Sequence, residues 1–151
     1  MIYYRNEVRR SGVDGRALVA TARRLLAEVG ERGSALSLTL VGDNAMRTLN
    51  REYRGKDAAT DVLSFSLDHP PTPEALERLL GDVVISVETA RRQAADYDAP
   101  LQRELYRLLI HGVLHLMGHD HAQSAQRRVM EREERRLAEA IALPWPYREG
   151  R

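Results

Sequence analysis

The sequence predicts an α+β fold in which a small mixed β-sheet packs against helices. Amphipathic helical patterns occur near both ends of the chain, at residues 14–29 and 124–143. Short segments with alternating or β-branched apolar residues lie between them, at 36–41, 61–65 and 82–86. Because helices and strands do not alternate strictly along the chain, this order favours an α+β domain.

The first predicted helix extends from Asp14 to Val29, with Asp14 as a candidate N-cap and Gly30 as its stop. Its apolar residues recur at helical spacing: Leu18, Ala22, Leu25, Leu26 and Val29. A strand follows, because apolar and polar residues alternate up to Gly42: Leu36, Ser37, Leu38, Thr39 and Leu40. Asp43 then begins a second helix with one apolar side: Met46, Leu49 and Tyr53.

Two further segments, Asp61 to Phe65 and Asp82 to Ser86, are too short for helices and rich in β-branched or aromatic residues, so they are predicted as strands. Prolines between them mark a loop: Pro70, Pro71 and Pro73. The pattern from Thr72 to Leu80 predicts a short peripheral helix.

Three helices complete the chain. Residues 88–95 are predicted to form the first, and the second is predicted to follow Pro100 with a core-facing stripe: Leu105, Leu108, Leu109, Gly112 and Leu116. The last is predicted from Ser124 to Leu143, where Pro144 follows, with residues 126–136 facing water. Its inward residues are predicted to be Val129, Met130, Leu137 and Ile141.

Composition limits the class of protein. With 151 residues, 43% of them hydrophobic, the chain is expected to form one domain over residues 1–151. No apolar run approaches the length of about twenty residues that crosses a bilayer, so no membrane association is expected. The first residues also lack the apolar stretch of a signal peptide, and we expect a cytoplasmic location.

The charge and cysteine content restrict the ligands. The chain has no cysteine, so any bound metal needs nitrogen or oxygen ligands. A formal net charge of +1 lacks the strong basic character that is common in nucleic-acid-binding proteins. Charge therefore neither supports nor excludes an RNA substrate.

Four of the five histidines fall between His111 and His121. Residues four apart share a helix face, so His111 and His115 can present two imidazoles to one point. Gly118 can adopt the positive φ that turns the chain after the helix, and His121 can then return as a third ligand. Three imidazoles leave the fourth position of a tetrahedral zinc site open, which is typical of catalytic zinc. The pattern predicts a zincin-like metal-binding helix followed by a glycine turn.

Two neighbours of the predicted ligands are less clear. A single histidine is more often an ordinary core or surface residue than a ligand, and His119 is expected to lie outside the ligand set. Asp120 is either the carboxylate that orients a ligating imidazole or a solvated turn residue.

The histidine spacing also resembles that of metzincin peptidases, which carry two histidines four apart and a third after a glycine turn. In those peptidases, the glutamate that serves as general base directly follows the first histidine. Here that position is Gly112, which cannot accept a proton. Peptide hydrolysis by that route is therefore disfavoured.

Three segments occur in an order that resembles the YbeY endoribonuclease family of rRNA maturation factors: residues 49–65, the strand at 81–86 and the histidine motif at 111–121. The resemblance covers roughly Leu36 to Leu143. It implies a single-strand-specific, zinc-dependent endoribonuclease that acts in 3′-end maturation of small-subunit ribosomal RNA and in ribosome quality control. Single-stranded RNA, ribosomal RNA and ribosome components are the implied partners.

The resemblance also implies roles for individual residues. The ligands of one Zn²⁺ per chain fall on His111, His115 and His121, and the family's functionally important arginine falls on Arg54. Arg54 and His115 are thus the predicted catalytic residues, while the family often has tyrosine where this chain has His119. No catalytic role is assigned to Asp57, Thr60 or Asp61, and the sequence leaves the oligomeric state open.

Two other functions remain open at this point. One is a zinc peptidase-like hydrolase, which Gly112 disfavours. The other is a ribosome-assembly factor in which the metal mainly holds the fold. Three predicted ligands rather than four count against a purely structural zinc.

Overall fold

The computed structural model describes residues 1–69 and 77–144, with only the backbone described at residues 68 and 69. Within these residues the elements are, in chain order, β1 (Ile2–Asn6), α1 (Gly15–Glu28), β2 (Ala35–Val41), α2 (Asp43–Arg54), β3 (Val62–His69), β4 (Leu79–Ser86), α3 (Val87–Asp96), α4 (Leu101–Leu116) and α5 (Ser124–Ala140). This arrangement confirms the predicted α+β class.

The strands form a mixed sheet in the order β1-β2-β4-β3. β1 and β4 pair in parallel with β2, whereas β3 pairs antiparallel with β4. Leu38 lies opposite Val83 in this register, and alternation along the strands places both on the same face. Both are fully buried in the main core, to which α1, α4 and α5 also contribute apolar side chains.

α4 is the central helix of this core, because it contacts α1, α3, α5, β3 and β4. The opposite face of the sheet carries α2 over a smaller cluster of buried side chains: Val41, Met46, Leu63 and Val84. The sheet therefore separates a deeply buried helix from a mostly exposed one.

Polar contacts fix the beginning of α2. The Glu88 carboxylate accepts a hydrogen bond of 2.7 Å from the Asp43 backbone N–H. The Asp43 carboxylate in turn accepts from the hydroxyls of Ser86 and Thr89, both at 2.6 Å. These contacts join the N-termini of α2 and α3 in place of a side-chain cap from Gly42.

The structure differs from the prediction in two segments of the chain. The strand β1 was not predicted from the sequence. The predicted helix at 72–80 is wrong at its end, because Leu79 and Leu80 belong to β4, and its residues 72–76 lie outside the described residues.

The last helix also departs from the prediction. α5 ends at Ala140 rather than Leu143, as Ile141 is its C-cap and Ala142 has a φ of 56°. Met130 and Leu137 are buried as predicted, but Val129 is 44% exposed and does not face the core.

In the described part of the chain, no helix combines the length and apolar character needed to cross a membrane.

Candidate metal centre

His111 and His115 lie one turn apart on α4, and their side chains converge. The two Nε2 atoms are 3.1 Å apart, and the ring centroids are separated by 4.6 Å. Both imidazoles are partly buried. The spacing of four residues thus brings two nitrogens to one point, as a shared helix face requires.

Gly112, between these histidines, lies against the sheet. A Cβ at this position would be 2.7 Å from Val83 Cγ1 and 3.2 Å from Ser64 Oγ. The Ser64 hydroxyl donates a hydrogen bond of 3.0 Å to the Gly112 carbonyl. Glycine therefore allows α4 to approach the sheet closely, and a side chain here would point at Val83 rather than at the histidines.

The chain reverses at Gly118, which has a φ of +92°. The Gly118 N–H donates to the His115 carbonyl and the His119 N–H to the Leu114 carbonyl, both at 3.0 Å. This pair of bonds is a Schellman motif, and it satisfies carbonyls that the end of α4 leaves open. The turn brings the His121 ring to centroid distances of 5.6 Å from His111 and 5.4 Å from His115.

The three imidazoles fit a single metal ion. One ring nitrogen from each of His111, His115 and His121 lies within 4.8 Å of the other two. Zinc binds histidine nitrogen at about 2.1 Å, so the ligand nitrogens of a tetrahedral site lie roughly 3.4 Å apart. The His121 side chain is 56% exposed, which gives it room to move closer to the other two imidazoles and complete the set. Burial and the neighbouring imidazoles of His111 and His121 lower the pKa of His115, which favours the neutral form that binds metals.

The histidines form one wall of an open cavity of about 450 Å³. Arg54, the last residue of α2, lines the same cavity, where Gly55 ends the helix with a φ of 70°. The lining also includes polar residues from the segment before β3, from β3 and from the turn after α4, together with three apolar residues: Thr60, Asp61, Ser64, Ser66, Asp120, Val62, Leu63 and Leu116. The chain thus brings Arg54 to the histidines across a separation of more than fifty residues in sequence.

Arg54 differs from the other arginines of α2. Arg47 and Arg51 both contact the Asp57 carboxylate, at 2.8 and 3.6 Å. Within residues 1–69 and 77–144, no carboxylate pairs with the Arg54 guanidinium. Its charge is therefore available to an anion in the cavity.

Comparison with known proteins gives the family. A family model described as endoribonuclease YbeY matches residues 3–142. The chain belongs to the endoribonuclease YbeY family. Proteins named endoribonuclease YbeY include one from Anaeromyxobacter sp. (strain Fw109-5) that is 50% identical over 128 residues, or 85% of this chain and 65% of that protein. Another, from Desulfitobacterium hafniense (strain Y51), is 46% identical over 130 residues, covering 83% of this chain and 82% of its own length.

Coverage differs among these YbeY relatives, and the chain spans just under two thirds of the length of the Anaeromyxobacter Fw109-5 protein. The fold has a solved counterpart in the solution structure of TM1509 from Thermotoga maritima. That structure matches with a TM-score of 0.61 and 24% identity, over 93% of this chain and 89% of TM1509.

His119 and Asp120 do not join the three convergent imidazoles. His119 lines a separate pocket with Glu133 and Arg136, away from the cavity that contains Arg54. The Asp120 carboxylate accepts a hydrogen bond of 2.7 Å from the His121 backbone N–H, but it is 3.7 Å from the His121 Nδ1. That separation is too long for a hydrogen bond, so Asp120 holds the turn rather than the ring.

A carboxylate that sequence reasoning missed contacts the site instead. Glu134 of α5 places its Oε2 atom 3.0 Å from the Nδ1 of His111. Its side chain is only 13% exposed, although the sequence pattern predicted that residues 126–136 face water. That prediction is wrong at Glu134, because it lies four residues after the buried Met130 and three before the buried Leu137, on the stripe that packs against the core.

Proposed function

We propose that this chain is a single-strand-specific, zinc-dependent endoribonuclease that acts in 3′-end maturation of small-subunit ribosomal RNA and in ribosome quality control. The observation that carries the proposal is the cavity that joins three convergent imidazoles to an arginine without a carboxylate partner among the described residues. The names of its relatives describe an endoribonuclease, which supports RNA as the substrate.

His111, His115 and His121 would hold one Zn²⁺ per chain. A bound zinc ion lowers the pKa of a water molecule to about 7 and acts as a Lewis acid. This chemistry supplies a nucleophile without a carboxylate base, so the mechanism does not need a glutamate at position 112, where this chain has glycine. We assign His115 a catalytic role through its part in holding the metal.

Arg54 is proposed to stabilise the charge that develops on the phosphoryl oxygens during cleavage. A guanidinium can donate two parallel hydrogen bonds to such a group, and an ammonium cannot match that geometry. Hydroxyl and carboxylate side chains line the open cavity beside Arg54: Thr60, Ser64, Ser66, Asp61 and Asp120. Single-strand specificity, ribosomal RNA and ribosome components as partners, and a cytoplasmic location follow from the family resemblance.

The structure bears on the two alternative functions. A peptidase-type glutamate at position 112 would meet Val83, so the catalytic base of that mechanism has no space on this helix. A mainly structural metal is disfavoured by the exposure of His121 and by the open cavity beside it, because structural zinc sites are closed by four protein ligands.

The test combines metal analysis with cleavage assays on the purified chain. We expect one zinc per chain, lost when His111, His115 or His121 is replaced by alanine and retained in the matched control His119→Ala. Single-stranded RNA should be cut and duplex RNA and casein left intact, with cleavage abolished by His115→Ala. Zinc-dependent proteolysis that disappears in His115→Ala would contradict the nuclease proposal, and loss of zinc from His119→Ala but not from His121→Ala would contradict the ligand set.

A further inference from the structure

We infer that Glu134 is a positioning residue that fixes the tautomer and orientation of His111 for metal binding. The inference rests on the proposed function only in taking the three histidines as a metal centre. It assigns a role to a residue of α5, outside the histidine motif.

The contact determines where the His111 proton lies. A carboxylate can only accept a hydrogen bond, so the 3.0 Å contact between Glu134 Oε2 and His111 Nδ1 requires the imidazole proton on Nδ1. The lone pair is then on Nε2, the atom that lies 3.1 Å from the Nε2 of His115. Glu134 thus leaves the metal-facing nitrogen of His111 free to coordinate.

The surroundings hold Glu134 in this place. Glu134 shares a stripe of α5 with Met130, Leu137 and Ala138, all of which are buried. An acidic side chain on a core-facing stripe loses hydration and is retained at low cost only when it is paired. Within the described residues, its hydrogen-bonding partner is His111, whose side chain is itself only 25% exposed.

The contact between Glu134 and His111 also connects α5 to α4. α4 carries the His111 ring, and α5 returns across it after the glycine turn, so the ring is fixed from the helix that follows the motif. A histidine ligand whose second nitrogen lacks such a partner can rotate and exchange tautomers. Removal of this kind of carboxylate typically weakens metal binding by about 10- to 100-fold.

The first experiment reads the tautomer directly in metal-free protein. ¹⁵N-labelled chain is examined by long-range ¹H–¹⁵N NMR at a pH where the imidazoles are neutral. The wild-type protein should show His111 in the Nδ1–H form. Glu134→Ala should lose that preference, and Glu134→Gln should keep it, because the amide oxygen still accepts a hydrogen bond.

The second experiment measures zinc affinity by competition with a chelator. Glu134→Ala should bind zinc about 10- to 100-fold more weakly than wild type, with most of the affinity restored in Glu134→Gln. Glu133→Ala is the matched control: it removes a neighbouring carboxylate of α5 that pairs with Arg136 at 2.8 Å and should leave both readouts unchanged. Circular dichroism establishes that each variant keeps its helical content.

The outcomes separate this inference from the nuclease proposal. An Nε2–H tautomer at His111 in the wild-type protein, or unchanged zinc affinity in a folded Glu134→Ala variant, overturns the inference. If zinc affinity depends on Glu134 but the zinc-loaded wild-type chain leaves RNA intact, the inference stands and the nuclease proposal fails.

Discussion

The helices α4 and α2 both contribute to the candidate metal centre, but they are held in the fold in different ways. α4 buries eight of its residues and contacts three helices and two strands. α2 buries only Met46 and Asn50, and its arginines and Tyr53 are exposed. The positions of His111 and His115 therefore depend on the packing of the core, whereas Arg54 projects from a surface helix. Substitutions in the core of α4 should therefore lower stability, whereas substitution of Arg54 on α2 should lower activity with little effect on stability.

α4 also carries a buried charge. Glu104 has no exposed surface, and its carboxylate makes two contacts with the Arg107 guanidinium, at 2.6 and 3.0 Å. Arg107 also lies 3.5 Å from the Gln93 side-chain oxygen, and Gln93 donates to the Asp61 carboxylate in the cavity wall. A polar network thus extends from the core to the wall of the cavity.

The largest effect on stability is expected from Glu104→Gln. The change keeps the shape of the side chain but removes the buried negative charge that faces the Arg107 guanidinium, which should lower the free energy of unfolding by about 3 kcal/mol. Urea denaturation followed by circular dichroism measures this difference.

The double variant Glu104→Met with Arg107→Met is the control for this first prediction. Replacing both charges by apolar side chains of similar volume should recover most of the loss, since neither charge of the pair then remains in the core. If Glu104→Gln unfolds at the same urea concentration as the wild type, the buried ion pair does not stabilise α4. The helices α4 and α2 would then differ less in how much they contribute to stability.

A smaller effect is expected from Asp43→Asn at the start of α2. Burial raises the pKa of Asp43, but hydrogen bonds from Ser86 and Thr89 and the nearby Arg92 outweigh it, so the pKa lies below its ordinary value. A carboxylate with a lowered pKa in the folded state stabilises the protein above its unfolded pKa of about 3.9 and loses this contribution as the pH falls through the folded value. We expect the free energy of unfolding of Asp43→Asn to be lower than that of the wild type by about 1 kcal/mol at pH 7. The difference is this small because the side chain is still 25% exposed.

This second prediction is checked by urea denaturation at several pH values. The difference between wild type and Asp43→Asn should be constant from pH 7 to about pH 5 and should shrink below about pH 4. Asp57→Asn, which removes an exposed carboxylate that pairs with Arg47, is the control and should change stability less. A difference that persists undiminished at low pH would show that Asp43 acts through its shape rather than its charge.

The same contrast explains what the sequence could predict. The candidate ligand set is local in sequence: a spacing of four on one helix and a glycine turn bring the three histidines together, so periodicity and φ preferences suffice to predict this cluster. β1 has five residues of mixed character, and its pairing with β2 joins residues more than thirty positions apart. Helical periodicity places Glu134 on the buried stripe of α5, but its contact with His111 follows only from the packing of α5 on α4. The close packing of Gly112 against Val83 likewise depends on tertiary contact, whereas its lack of a side chain was evident from the sequence.

The smallest effect on stability, and a large effect on rate, is expected from Arg54→Ala. The guanidinium lies at the exposed end of α2 without a carboxylate partner in the described residues, so its removal should change the free energy of unfolding by less than about 0.5 kcal/mol. Zinc content should also be unchanged, because Arg54 lines the cavity without being one of the three ligands. Loss of one preorganised donor to a developing oxyanion typically slows turnover about 100- to 1000-fold.

Single-turnover cleavage of single-stranded RNA at saturating protein measures this rate without a contribution from binding. Arg54→Lys should recover only part of the rate, since the ammonium keeps the charge but not the planar pair of donors. Arg51→Ala is the matched control, because it removes an arginine of the same helix that pairs with Asp57 and is absent from the lining of the cavity. If Arg54→Ala cuts at the wild-type rate under saturation and differs only in RNA affinity, Arg54 binds the substrate in its ground state. The surface helix would then supply affinity alone, and the chemistry would belong entirely to the buried helix and its turn.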